Sequence, residues 1–244
     1  MMSMFRSVLG KHYRIPGYFL ALDIGCGVGT ASLALAQRFT WVVAIDPYLP
    51  NLILAQKLLD EQGVHGVILV QAYAQSVPLC DHCVDYAVAE NVIDHLLDVS
   101  PAFHEIRRIL RPSGCFCGDS RNRFDLVFPE VHVGLRWVGF LPRKLQSWYV
   151  QRRRGLSYAG TSLLSLPEIQ RYARSAFGRS ARVVFPLASS YGRSPKWDVW
   201  VQRIERVPIL RTLLLLVFPS HLLVAQANPN VESSIASDSP CREA

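Results

Sequence analysis

The chain predicts an α/β fold with a doubly wound, mostly parallel seven-stranded sheet, and three observations predict it. Short apolar runs alternate with segments of helical period from residue 19 to residue 118. The first run ends in the glycine turn Gly25-Cys26-Gly27-Val28-Gly29, which opens directly into a helix. The second ends in Ile45-Asp46, which places a carboxylate 21 positions after Gly25, where such folds present an acid to ribose hydroxyls.

Strands are expected at 19–24, 41–46, 67–70, 84–90 and 114–118, and helices at 29–38, 51–62 and 101–111. Gly63 closes the second helix, because glycine tolerates the left-handed conformation that ends helices. Ser100-Pro101 opens the third with a cap and a first-turn proline. Ser165-Leu166-Pro167-Glu168 has the spacing of a capping box, and the helix it starts, apolar at Ile169, Tyr172, Ala173 and Ala176, stops at Gly178. A sixth strand is expected at 181–185 and a seventh at 220–225. Leu213 to Phe218 is apolar enough to raise a membrane span, but Arg211, Pro219 and His221 interrupt it, so a short buried helix before the seventh strand is expected. From 227 onward no hydrophobic pattern remains, and a disordered tail is expected.

The glycine turn also indicates its ligand. A dinucleotide fingerprint reads G-x-G-x-x-G, whereas this turn reads G-x-G-x-G and carries Asp23 two residues before its first glycine. A carboxylate there sits poorly beside a pyrophosphate but can accept hydrogen bonds from an ammonium group. S-adenosylmethionine (SAM) offers an ammonium, a carboxylate for helix N-terminal amides and a ribose for Asp46. Here the chain resembles the class I SAM-dependent methyltransferases, within them the type 11 family. The resemblance continues through Ala74-Gln75-Ser76-Val77-Pro78-Leu79, Val84-Asp85-Tyr86-Ala87-Val88, Asn91-Val92-Ile93-Asp94-His95 and Glu105-Ile106-Arg107-Arg108-Ile109-Leu110-Arg111-Pro112-Ser113-Gly114.

The resemblance implies a Rossmann-like fold, a seventh strand inserted antiparallel beside the sixth, and SAM as cofactor. It implies cofactor contacts at Asp23, Gly25, Cys26, Gly27, Asp46, Pro47, Ala74, Gln75 and Glu90. Gln75 departs from the glutamate usual at its position, and Tyr73 stands where the family often has an acid, so adenine contacts are less defined than ribose contacts.

Half of the residues are hydrophobic, enough for one full core, and residues 1–226 are expected to form a single domain. Met1 to Arg14 lacks the apolar run of a signal peptide and six cysteines suggest no disulfide framework, so a cytoplasmic protein is expected. Cys80-Asp81-His82-Cys83 has half of a zinc motif without a matching second pair, so these read as loop cysteines and no metal is expected.

The net charge of +7 is local: between Arg121 and Leu164 eight basic side chains face only Asp125 and Glu130, with aromatics interleaved. In this fold that segment lies beyond the carboxyl ends of the strands, where a substrate lid belongs. A small-molecule or lipid-linked, anionic acceptor suits the arginines. An anionic membrane surface suits Leu145, Trp148 and Tyr149, which share a helical face beside Arg143, Lys144 and Arg152. Nucleic acid is disfavoured, because the fourth strand ends Ala89-Glu90-Asn91-Val92, without the Asn-Pro-Pro-Tyr-type motif of amino-directed nucleic-acid enzymes.

Methyl transfer from SAM needs alignment of a nucleophile and exclusion of water, and a base only where the acceptor carries a proton to lose. Asp94, His95 and His132 are the candidates for that base. Two other readings stay open: an idle SAM-fold module that binds a partner or an anionic membrane, and a dinucleotide-dependent oxidoreductase, which the glycine spacing disfavours.

Overall fold

A computed structural model describes residues 20–96, 98–158, 161–185, 199, 203–204 and 206–227. The first half runs β1 (Leu20–Ile24), α1 (Thr30–Ala36), β2 (Trp41–Asp46), α2 (Leu49–Glu61), β3 (Val67–Gln71), β4 (Val84–Ala89), a 3₁₀ turn (Ile93–His95), α3 (Val99–Ile109) and β5 (Leu110–Arg121). An insert carrying α4 (Arg143–Arg154) comes next, then α5 (Leu166–Phe177), β6 (Arg182–Val184), α6 (Pro208–Val217) and β7 (Ser220–Gln226). The sheet order is β3-β2-β1-β4-β5-β7-β6. The first five strands are parallel, and β7 enters antiparallel between β5 and β6, as the resemblance implied. The order reverses between β1 and β4, the switch point at which doubly wound sheets open a crevice beyond their strand ends.

Both faces of the sheet are covered, which is why its central strands are apolar on successive residues. Leu35 of α1 and Phe39 cover Ala21, Val42, Tyr86 and Cys117, with Phe39 stacked on Tyr86 at a centroid distance of 5.7 Å. On the other face α3 and α5 bring Phe103 and Phe177 against Phe116 of β5, with Leu22, Val43 and Ile45 in the same core. The box at Ser165 forms as expected: Glu168 accepts the Ser165 backbone N–H at 2.8 Å, and α5 stops at Gly178, whose φ is +64°.

Three elements depart from expectation. The third helix is capped by Asp98, whose carboxylate accepts the Ser100 backbone N–H at 3.1 Å, so Ser100 lies inside the helix. That helix ends at Ile109 because Leu110 already pairs with Val84, and Arg111 is held to Asp85 at 3.0 Å; β5 is therefore a twelve-residue strand. The expected buried helix before the seventh strand is α6, and it lies at the surface. Leu215 is buried, but Ile209, Leu210 and Leu213 are exposed. No helix among the described residues is long and apolar enough to cross a membrane. The expected tail lies outside the described residues from 228 onward.

The insert has its own small core of Val133, Val138, Val150 and Tyr158. Two of its anchors tie it to elements around the sheet. Asn122 donates through Nδ2 to the Leu216 and Phe218 carbonyls at 2.9 and 2.7 Å, and Ser162 N–H donates to the Asp94 carbonyl at 2.8 Å. The second anchor sets the insert against the segment after β4.

Candidate functional site

The glycine turn, the end of β2 and the segment after β4 meet at the switch point. Gly25 and Gly27 have φ of +63° and +52°, which residues with a Cβ rarely adopt. A Cβ on Gly25 would stand 2.6 Å from Cγ2 of Val92, so the turn is in contact with the residues that lead to Asp94 and His95. A Cβ on Gly27 would meet nothing within 4 Å, which leaves open space over the turn for a ligand. Cys26 is buried against Ala44 and Leu52, and its N–H donates to the Ile45 carbonyl at 2.9 Å; its contribution to a ligand site is main chain.

Asp46 organises this turn. Its carboxylate accepts Gly27 N–H at 3.0 Å, Tyr48 N–H at 2.9 Å and the Asn51 side-chain amide at 3.1 Å. Pro47 stands next at the rim, where its carbonyl accepts from Gln71 at 3.0 Å. The loop after β3 brings Ala74, which is buried, and Gln75, whose amide donates to the Asp98 carbonyl at 3.4 Å. The expected cofactor residues therefore line one edge of the sheet, from β3 across to β4.

The strand ends carry more negative charge than the sequence pattern assigns. Asp23 is fully buried and accepts the Ser32 hydroxyl at 2.5 Å; desolvation pushes its carboxyl up to about 6 despite that bond, and nearby Asp46 adds to the rise. Glu90 is raised by burial and by Asp23. Asp119, at the end of β5, accepts Asn91 N–H at 2.7 Å and is pushed up to about 7, first by burial and then by Glu90 and Asp94. Sequence reasoning does not reach Ser32 or Asp119. A carboxylate directly after the expected strand 114–118 is the available signal for Asp119.

The candidates for the base converge although they come from distant parts of the chain. His95 and His132 face each other with Nε2 atoms 3.2 Å apart and rings nearly perpendicular. Glu130, also beyond the reach of the sequence pattern, accepts from Nδ1 of His132 and from the His132 and Val133 backbone N–H groups. The carboxylate fixes the tautomer of that ring and turns its bare Nε2 toward His95. Asp94 is buried, with Oδ2 3.8 Å from Nε2 of His95, and its Oδ1 has no hydrogen-bond donor among the described residues.

Most arginines of the insert have internal work. Arg123 donates to the Gly139 and Leu141 carbonyls, Arg136 to Val127, Arg154 to Gly134, and Arg143 to Ser162, Leu163 and Glu168. Arg121 is not among them. It lines a cleft with Phe128, Glu130, Trp137 and Leu163, so Glu130 is shared between this cleft and the histidine pair. On α4, Leu145 and Trp148 are exposed, whereas Tyr149 turns toward the insert's core with Arg153 over its ring, which removes it from the expected surface face.

With this geometry, the sequence profile of the family described as "Methyltransferase domain" matches residues 22–118, from β1 through most of β5. Over residues 22–118 the chain is therefore similar to a methyltransferase domain. The ubiquinone biosynthesis O-methyltransferase of Azorhizobium caulinodans is 32% identical over 128 residues, 52% of this chain and 50% of that protein. The same-named protein of Methylocella silvestris is 26% identical over 159 residues, 59% of this chain and 60% of that protein. The chain thus spans about half the length of the curated relatives it matches. In fold it is similar to the YcgJ protein of Bacillus subtilis, with a TM-score of 0.57, 18% identity and coverage of 92% of this chain and 95% of that one. It is also similar to phosphoethanolamine N-methyltransferase 2 of Haemonchus contortus in complex with SAM, with a TM-score of 0.61, 16% identity and coverage of 91% and 52%.

Proposed function

We propose that this protein is a SAM-dependent methyltransferase that methylates a hydroxyl group on a small or lipid-linked acceptor. One observation carries the choice of a hydroxyl: the His95–His132–Glu130 line at the switch point, a device for taking the proton that a hydroxyl must lose as its oxygen is methylated. The O-methyltransferase relatives support the same choice.

SAM, when bound, supplies a methyl group made electrophilic by its sulfonium. Asp46 holds ribose hydroxyls and Asp23 faces the ammonium. Gly25, Cys26 and Gly27 line the turn with main-chain atoms, Pro47, Ala74 and Gln75 flank the base, and Glu90 closes the β4 side. The raised carboxyls of Asp23, Glu90 and Asp119 fit a cationic ligand, because a positive charge placed among them relieves the cost of their burial. The insert, residues 121–164, acts as the substrate lid. It excludes water and presents Arg121 and two aromatic walls to an anionic or aromatic acceptor. Leu145 and Trp148, exposed beside Lys144 and Arg152 on α4, support peripheral contact with an anionic membrane from which a lipid-linked acceptor would enter.

The test is a mass-spectrometric assay with SAM and a panel of phenols, catechols and aliphatic alcohols, each offered with and without an isoprenoid tail. A methyl ether formed only in the presence of the protein is the expected product. Transfer to amines or thiols alone, or to nothing in the panel, overturns the hydroxyl assignment.

Asp46→Ala weakens SAM binding by about 1.5–3 kcal/mol, the worth of charged hydrogen bonds to a ribose. Calorimetry checks it, with the melting temperature measured in parallel because the same carboxylate orders Gly27 and Tyr48. Unchanged affinity removes Asp46 from the site.

A further inference from the structure

We infer that Asp94, His95 and His132 form a binding site for a divalent first-row transition-metal cation, with Glu130 as the positioning residue. One ligand atom from each of the three lies within 4.8 Å of the others. The Nε2 atoms of the two histidines are 3.2 Å apart. Two imidazole nitrogens held about 2.0–2.1 Å from one zinc ion at a tetrahedral angle stand about 3.3–3.4 Å from each other, so the pair needs almost no movement to share an ion.

The surroundings of the pair point the same way. His132 offers its Nε2 lone pair because Glu130 accepts the proton on Nδ1, the carboxylate–imidazole arrangement that orients metal-ligating histidines. The insert is folded around that contact, since Glu130 also accepts two backbone N–H groups of the same turn. Asp94 supplies the independent sign. Its carboxylate is buried and its Oδ1 is without a hydrogen-bond donor among the described residues, a costly arrangement for a polar atom unless a ligand completes it. Two imidazoles and one carboxylate leave positions open for water or substrate, the composition of a reactive rather than a closed structural site. Imidazole ligands favour zinc, copper, iron or nickel over magnesium.

The consequence for the reaction rests on the hydroxyl reading above; the cation site does not. A hydroxyl bound to the ion becomes a stronger acid and releases its proton to water, so that its oxygen forms the bond to the methyl carbon as the carbon–sulfur bond breaks and the sulfur leaves as a neutral thioether. With the ion bound the two imidazoles act by holding it, and with the site empty they take the proton directly.

The experiment is a titration of the chelator-treated full chain, without SAM or acceptor, by Co²⁺ followed in visible absorption and by Zn²⁺ in calorimetry. One equivalent is expected to bind and to give ligand-field bands. The affinity falls at least about 100-fold in His95→Ala and in His132→Ala, and about 10–100-fold in Glu130→Gln, the usual cost of losing an outer-shell partner. The double replacement Cys80→Ser with Cys83→Ser leaves it unchanged. Retained SAM affinity shows that each variant is folded. Absence of stoichiometric binding, binding that survives both histidine variants, or binding abolished by the cysteine replacements overturns the proposal. A plain imidazole–imidazole hydrogen bond gives the first of these results. Failure of the acceptor panel leaves the titration intact, and failure of the titration leaves the panel intact.

Discussion

His95→Ala lowers kcat for a hydroxyl acceptor by about 10²–10⁴-fold, the range that help with proton removal supplies whether the imidazole takes the proton itself or holds an ion that acidifies the hydroxyl, and leaves the Kd for SAM unchanged. The second half of that expectation comes from position. His95 lies after β4 on the exposed side of the 3₁₀ turn, and its side chain meets His132 and Asp94, not the glycine turn or Asp46. His132→Ala has an effect of the same size, and the double variant is little worse than either single one, because the two rings work through one contact. A further arm uses acceptors of rising acidity. A hydroxyl already ionised in solution needs no help in losing its proton, so the penalty shrinks toward zero as the acceptor's own pKa falls. A kcat that survives His95→Ala on an ordinary alcohol would mean that alignment alone carries the transfer.

The parts of the molecule legible in the sequence are those where local chemistry and fold ask for the same residue. The glycine turn needs φ above zero at Gly25 and Gly27, the second strand needs an acid at its end, and Ser165 with Glu168 closes a box four residues long. Each signal lies within one turn or one strand. Where two neighbouring residues offer the same service, pattern cannot choose: Asp98 and Ser100 are both good caps, and the choice of Asp98 lengthens α3 at its start. The extension of β5 back to Leu110 is set by pairing with Val84 and by the Arg111–Asp85 contact, both long-range.

The insert is hardest to read because an arginine does not declare its partner. A run of positive charge resembles a surface awaiting an anion, yet Arg123, Arg136 and Arg154 are bound to backbone carbonyls of the insert itself, in a segment with too few regular elements to pair its own main chain. Gly139 shows how close that packing is, since a Cβ there would stand 1.8 Å from the Arg123 carbonyl oxygen. The same holds for the histidines. His95 and His132 are 37 positions apart, and only the fold of the insert, pinned at Asn122 and Ser162, brings them together. Glu130 has a faint local signal, two residues before His132. Its meaning depends on where the ring points.

Asp23→Asn separates what the site requires from what the fold prefers. The carboxyl of Asp23 ionises at about 6 in the folded protein against an ordinary 3.8, because burial disfavours its charged form more than Ser32 stabilises it. The folded state thus binds the proton more tightly than the unfolded chain between those values. Its contribution to stability is full below about pH 4 and is lost as pH rises through 6. At neutral pH the charge therefore costs about 3 kcal/mol. Asparagine keeps an oxygen that can accept the Ser32 hydroxyl and carries no charge to bury, so the variant melts higher than the parent above pH 6, with the gap closing as pH falls toward 4. In the same variant SAM binds at least about tenfold more weakly, because a charged hydrogen-bond acceptor has become a neutral one. Thermal denaturation across pH 4–8 and calorimetry with SAM read the two effects independently. A melting difference that does not change with pH would remove burial as the cause of the raised carboxyl. A gain in stability with no loss of SAM affinity would assign the buried charge to something other than the cofactor. The expected pairing, a more stable protein that holds SAM poorly, marks a carboxylate kept in an apolar strand end for a cationic ligand and for no structural reason.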